Sequence, residues 1–526
     1  MGDAFLKQSR TYLTKRNARA SLVNRVITLI CNFCSRSVFI RILGNEYLGA
    51  GGMFGNVFSV LSLCELGFGE AVSQSLYQPL ARGETGNIRA ILAYYTKVYR
   101  GISLVMLTLS LAFMPFLPYF FADIEKIHRY RAVYLLFCVH QVLSYYFAPK
   151  RALVQCDQRM YAVMTIRTIS SVCVTAAQIF FLYLTGNYLI YIFLRIFFSA
   201  VDGFLVNLYA DHTYPYLCDM GAKKAAGGVS APYKAGVWQN TRALVLHRIG
   251  GVINSSTDSI LISSHLGLAH MGVFSNYSLI INSVGSFVSL AIQAASASVG
   301  NLGATENEEK SIRVLRELCF ANFVLMTNCA ALLTSLVTPF IALWIGADKC
   351  FSMTETAVII ACFYMSYIRD PVQIFIHSYG VFRSTGFLYL VRGLLNLALS
   401  LLFVHRYGAV GVFAGTLLST VLTAFLFEPY CLFAGAFHQK ASAFVREYFC
   451  YPPVTAAICA VSYFAGSRMD SSTFTGMVLR GTVVLLTANL MILALYGRSE
   501  RFRSFRRLLL RGSQVGRKTA RTAGAN

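Results

Sequence analysis

The sequence predicts an all-α integral membrane protein with about fourteen transmembrane helices. Three observations carry that prediction. Of 526 residues, 56% are hydrophobic and 13% charged, where soluble domains carry roughly 25% charged residues; mean hydropathy is +0.56. A bilayer core about 30 Å thick needs roughly 20 apolar residues per helix, and the chain offers many such runs parted by short polar breaks. Lys and Arg gather at the edges of those runs, where positive charge sets topology. That placement, rather than nucleic-acid binding, accounts for the net charge of +23.

The opening stretch, MGDAFLKQSRTYLTKRNARA (1–20), reads as a basic cytoplasmic N-terminus. The run after it lacks a short signal-peptide core with a cleavage site, so no removal is expected. A six-helix bundle then fills 21–209, with spans near 21–43, 51–79, 94–121, 131–149, 161–184 and 188–209. Residues 210–239, rich in Gly, Ala, Pro and Lys toward their end, read as a cytoplasmic linker. A second six-helix bundle covers 240–432, with spans near 240–265, 271–300, 315–345, 355–378, 386–404 and 409–432. Residues 433–496 add two more transmembrane helices, near 447–466 and 474–496. The segment 497–526 is a basic cytoplasmic tail that either lies on the anionic leaflet or stays solvated. This alternation puts most Lys and Arg on the side of the N-terminus, so both termini are expected in the cytoplasm. The 14 cysteines are scattered singly, without zinc spacing or a disulfide framework, and read as small apolar residues.

The two six-helix stretches read as a duplication. LGNEYLG (43–49) matches LGLAHMG (266–272), and IRAIL (88–92) is echoed by IRVL (312–315) within one residue of the same register. That register lays Arg25 on Arg248. Pseudo-symmetric bundles around a central cavity follow, related by an axis along the membrane normal.

Polar residues inside the spans are costly, about 2.5–3.5 kcal/mol for a charge at mid-bilayer on insertion scales, so they face a cavity or a partner. Arg25, Thr28, Asn32, Ser35 and Arg36 form one helical stripe; Arg248, Gly251, Ser255, Asp258 and Ser259 repeat it in the related helix. Asn282, Ser286, Ser289, Gln293 and Ser296 form a third stripe, and Ser62, Glu65, Gly69 and Ser73 a fourth. At 1.5 Å per residue, Arg248 and Asp258 lie roughly 15 Å apart on a straight helix and cannot pair. Asp258 either clamps Arg36 or carries a coupling ion, a proton or sodium. Arg25 is also able to snorkel to headgroups, and the serine stripe is equally compatible with helix packing. Tyr94, Tyr95, Lys97, Tyr99 and Arg100 read as an interfacial belt, Arg242 and His247 as part of a cytoplasmic mouth, and Arg369 with Asp370 as a local salt link or mouth gate. The candidate substrate-binding residues are therefore Arg25, Asn32, Arg36, Arg248, Asn282 and Gln293, with Asp258 as ion carrier or structural partner and no metal site. No HExxH or Walker loop, and no outer loop of enzyme size, is present; neither catalysis nor a cofactor is expected.

FIRILGNEYLGAGGMFGNVFSVLSLCELGFGEAVSQSLYQPLARGE (39–84) and HRIGGVINSSTDSILISSHLGLAHMGVFSNYSLIINSVGSFVSLAIQAASASVGNLGATENEEKS (247–311) resemble the bacterial polysaccharide transporters of the multidrug, oligosaccharidyl-lipid and polysaccharide exporter superfamily, and are most similar to its O-antigen or teichoic-acid-type flippases. The resemblance implies alternating access that moves an undecaprenyl-diphosphate-linked sugar across a bacterial cytoplasmic membrane. Lipid II flippases of the superfamily also carry cavity arginines and two added C-terminal helices. On that implication Arg25, Arg36 and Arg248 are candidates for the diphosphate, the chain works among membrane lipids, and polysaccharide polymerases or glycosyltransferases are its expected neighbours. The rival readings are an ion-coupled multidrug antiporter of the same superfamily and a membrane enzyme of polysaccharide assembly.

Overall fold

The computed structural model describes residues 10–65, 68–121, 123–217, 231–293, 295–504 and 506. Most of the predicted linker, the start of the N-terminal segment, the end of the tail and the side chains of Arg242 and His247 lie outside the described residues. All regular elements among the described residues are helical. The chain divides into two compact units, residues 1–275 and 276–526.

In the first unit, α1 (Arg10–Leu43) is 34 residues long, about 51 Å, and overshoots the bilayer core. Its polar start stays helical because it is docked along α8 (Met160–Thr185). Asn17 Nδ2 donates to the Gln158 carbonyl at 2.7 Å, Asn17 Oδ1 accepts from the Tyr161 amide at 2.8 Å, and the Arg16 guanidinium lies 3.8 Å over the Tyr161 ring. About two helical turns further on, Asn24 Nδ2 donates to Thr168 Oγ1 at 2.9 Å.

Gly44, at φ 87°, ends α1, and α2 (Asn45–Leu61) begins at once. The sequence predicts one helix over 51–79. The structure breaks it into α2, a 3-10 turn at Ser62–Glu65 and α3 (Phe68–Arg82). The cause is local: Gly69 weakens the helix by about 1 kcal/mol relative to Ala, and Ser62 Oγ bonds back to the Ser59 carbonyl at 2.6 Å. Next come α4 (Thr85–Phe113) and a single turn, α5 (Leu117–Phe120). Then α6 (Tyr130–Tyr146) meets α7 (Ala148–Cys156) at a bend of 46°, where Pro149 starts the new helix. α9 (Tyr188–Thr213), α10 (Ala231–His265) and the first turns of α11 (Gly267–Gln293) complete the unit. Its core is aromatic: Phe54 and Phe58 of α2 pack on Tyr134 and Phe137 of α6.

The two repeat motifs meet here. Gly267, like Gly44, sits at φ 87°. A Cβ on Gly49 would fall 2.0 Å from the Leu268 carbonyl oxygen, and one on Gly272 would fall 2.2 Å from the Asn45 carbonyl oxygen. In the repeat register Leu268 is the counterpart of Asn45 and Gly272 that of Gly49, so the contact is reciprocal, the pattern of a two-fold interface.

The second unit takes in the rest of α11, then α12 (Ser296–Thr305), α13 (Glu308–Ile345), α14 (Met353–Tyr367), α15 (Asp370–Ser378), α16 (Phe382–Thr420), α17 (Leu426–Leu432), α18 (Ser442–Ser467) and α19 (Phe474–Tyr496). Within α16, Gly408 departs from helical geometry at φ 57°, ψ −134°, and π-helical turns at Val421–Phe425 and Phe433–Phe437 flank α17. α18 and α19 both pack on α13. Thr327 of α13, Thr455 of α18 and Tyr364 of α14 form a buried hydroxyl chain with links of 2.8 and 2.9 Å, and Asn489 Nδ2 of α19 donates to Asn328 Oδ1 at 2.8 Å.

Among the described residues, 10 helices are long and apolar enough to cross a membrane, or 11 with the bent α6–α7 pair. This is a multi-pass membrane protein. The number falls below the expected fourteen partly because two candidates, Leu13–Glu65 and Thr385–Phe437, hold 53 residues each. A straight helix of that length would run about 80 Å, but the first contains the turn at Gly44 and the second the kink at Gly408.

Candidate functional site

The break between α2 and α3 is where the first unit gathers its chemistry. Breaking a helix inside a membrane is tolerated where the freed backbone lines a cavity or is covered by protein, and Glu65 ends the 3-10 turn at that break. Tyr99 of α4 donates its hydroxyl to Glu65 Oε1. Arg248 of α10 brings Nη2 to 3.5 Å from Glu65 Oε2. Gly69 lets these groups close up: a Cβ there would sit 2.6 Å from the Tyr99 hydroxyl and 2.9 Å from Glu65 Oε1. The Tyr95 and Tyr99 rings meet edge to face at 4.4 Å, and Tyr145 of α6 backs Tyr99 at 5.6 Å.

Beside this cluster lies a cavity of about 510 Å³, lined by Glu65, Ser73, Gln74, Tyr77, Tyr95, Tyr99, Arg151 and Gln155 together with small residues of α3 and α7. Arg151 Nη2 lies 3.3 Å from Asp202 Oδ2 of α9. Both charged side chains on the wall thus have an opposite charge at hand.

The sequence-predicted residues distribute as follows. Arg25 and Arg36 are half-buried and Asn32 exposed on α1; Arg36 Nη1 donates to the Ser275 carbonyl at 2.6 Å, beside the reciprocal glycine contact. Arg248 and Asp258 are half-buried on α10, with Asp258 between buried Thr257 and Ser259. Asn282 and Gln293 are exposed side chains of the second unit. The structure joins Arg248 to Glu65, two stripes that periodicity alone treated separately.

Two expectations are corrected. Tyr95 and Tyr99 are not interfacial: they are 3% and 4% exposed and serve the Glu65 cluster. Arg369 does not form its ion pair with its neighbour Asp370. It makes a bidentate pair with Glu428 of α17, Nε to Oε2 at 2.9 Å and Nη2 to Oε1 at 2.5 Å, with side chains 2% and 1% exposed. Asp370 Oδ2 instead accepts from Ser289 Oγ at 2.5 Å. Glu428 was overlooked in the sequence although a carboxylate within an apolar run calls for a cationic partner. Among the described residues no group of three His, Cys, Asp or Glu could hold a metal ion, and the described cysteines are free thiols.

Residues 20–180 match the MatE family model. Among solved structures, the inward closed conformation of the lipid II flippase MurJ is similar over 92% of this chain and 99% of its own, with a TM-score of 0.63 at 13% identity. An inward-facing MATE-family multidrug resistance transporter of the MOP superfamily is similar over 82% of this chain and 98% of its own, with a TM-score of 0.57 at 13% identity. A MOP superfamily transporter from Pyrococcus furiosus is similar over 83% and 96%, with a TM-score of 0.54 at 13% identity. No curated protein matches the sequence. At this identity the likeness shows a shared fold: the chain folds as these solved structures do.

Proposed function

We propose that this protein is a flippase that carries a polyprenyl-diphosphate-linked oligosaccharide across a bacterial cytoplasmic membrane by alternating access. It crosses the membrane fourteen times with both termini in the cytoplasm, as two duplicated six-helix bundles and two added helices. The observation that carries the reading is coverage. The likeness to the lipid II flippase extends over 92% of the chain, against 82% for the inward-facing multidrug transporter, and the difference is as much chain as α18 and α19 contain. Those helices are tied to α13 by buried hydroxyls and an Asn–Asn bond, so they belong to the working body of the second unit.

The chemistry is consistent with a diphosphate. Arginine stays charged and binds phosphate oxygens in pairs, and Arg25, Arg36 and Arg248 supply that charge on α1 and α10, with Asn32 as a neutral partner on α1. The multidrug reading draws support from the carboxylate and tyrosines around the cavity, but Arg248 and Arg151 offset the acidic charge a cationic drug would need.

The test is reconstitution. Purified protein in liposomes should move a lipid-linked oligosaccharide between leaflets with its covalent structure unchanged, and Arg36→Ala and Arg248→Ala should lose transport by at least tenfold while remaining in the membrane. Full transport by both variants removes the diphosphate role; a chemically altered product favours the enzyme; efflux of a lipophilic cation favours the antiporter.

A further inference from the structure

The cavity beside Glu65 has a composition that suits a ligand other than a phosphate. Its volume, about 510 Å³, falls within the roughly 300–1,000 Å³ typical of small-molecule sites. Glu65 is engaged by Tyr99 and Arg248, and Arg151 by Asp202, so the wall presents little net charge. What it offers is neutral hydrogen bonding. Gln74 of α3 and Gln155 of α7 are exposed, and neither amide bonds another described residue; each brings donors and an acceptor. Tyr77, 56% exposed, adds an aromatic face and a hydroxyl at the same wall. Paired amides, a tyrosine ring and balanced charge match a polyhydroxylated ring, whose hydroxyls both donate and accept and whose C–H face packs on aromatics.

We propose that this cavity is the saccharide subsite: it holds a neutral sugar of the lipid-linked substrate through Gln74, Gln155 and Tyr77, and leaves the diphosphate to the arginines of α1 and α10. The assignment rests on the flippase reading. It also makes the first unit the specificity-determining part of the carrier, because the diphosphate is common to all such lipids and the sugar is not.

The experiment compares two lipids on purified full-length protein: bare polyprenyl diphosphate, and the polyprenyl-diphosphate saccharide extracted from cells depleted of this protein. Wild type should bind the saccharide-bearing lipid about tenfold more tightly. The Gln74→Ala/Gln155→Ala double variant should lose that preference while binding the bare lipid as before, and Tyr77→Phe should keep most of it because the ring remains. Equal binding of both lipids by wild type, an undiminished preference in the double variant, or parallel loss of both lipids overturns the saccharide subsite and leaves the flippase reading in place. Failure of wild type to bind either lipid overturns both. Binding of tetraphenylphosphonium that the double variant abolishes also overturns the assignment, giving the cavity to a cation.

Discussion

The reciprocal glycine contact makes a prediction about additivity. A Cβ on Gly49 would lie 2.0 Å from the Leu268 carbonyl oxygen, and one on Gly272 would lie 2.2 Å from that of Asn45. Ordinary carbon–oxygen contacts begin near 3.3 Å, so alanine at either site requires the starts of α2 and α11 to part by about 1.1–1.3 Å. Such overpacking costs typically about 1–3 kcal/mol. Both obstacles lie across the same seam, so the separation that admits the first methyl also admits the second. Gly49→Ala and Gly272→Ala should each lower the midpoint of thermal unfolding in detergent by a similar amount, and the double variant should be little worse than either single one. Sites that share a backbone shift couple in this way, whereas independent ones add within about 0.5 kcal/mol. A double variant whose loss equals the sum would refute the shared seam. Single variants as stable as wild type would refute the close approach itself.

Other perturbations test the polar centres. Replacing one member of the buried Arg369–Glu428 pair, as in Arg369→Met or Glu428→Met, should cost about 3–5 kcal/mol by stranding a charge, whereas the double Met variant should recover most of the lost folded yield; size-exclusion profiles of the three report the result. Tyr99→Phe keeps the ring packing of Tyr95 and Tyr145 but removes the hydroxyl from Glu65, so transport should fall severalfold with unfolding midpoint little changed; an equal loss of both would make Tyr99 structural. Asp258→Asn should impair gradient-driven transport if the carboxylate carries the ion; transport with the same gradient dependence as wild type excludes coupling through it.

Hydropathy reported an all-helical, multi-pass chain, because a lipid-facing or core-facing span needs the same long apolar run, but not a division into fourteen spans. It could not report the break at Ser62–Glu65, because SLCELGFG is apolar enough to continue a span and the deciding factors are Gly69 and one serine back-bond. Stripes identified Arg248 and Glu65 as in-membrane charges, but which charge faces which is set by how α10 packs on the α2–α3 break, information that helical periodicity does not contain. Tyr95 and Tyr99 mislead for a related reason: tyrosines near a Lys and an Arg mark an interface in composition, yet both are buried and the Tyr99 hydroxyl bonds Glu65. For Arg369, adjacency suggests a salt link to Asp370 or a mouth gate, whereas its partner Glu428 is 59 positions away, across the kinked α16.

The length of α1 has a mechanical consequence. A helix of about 51 Å pinned at one end acts as a rod, and a tilt of only about 10° would sweep its far end through about 9 Å. The pins at Asn17, Tyr161 and Asn24 fasten α8 to that rod, so the two cannot rotate separately without shearing three side-chain links. They form a plank. That plank joins the Arg36 grip on the Ser275 carbonyl near one end to the turn at Gln158 at the other.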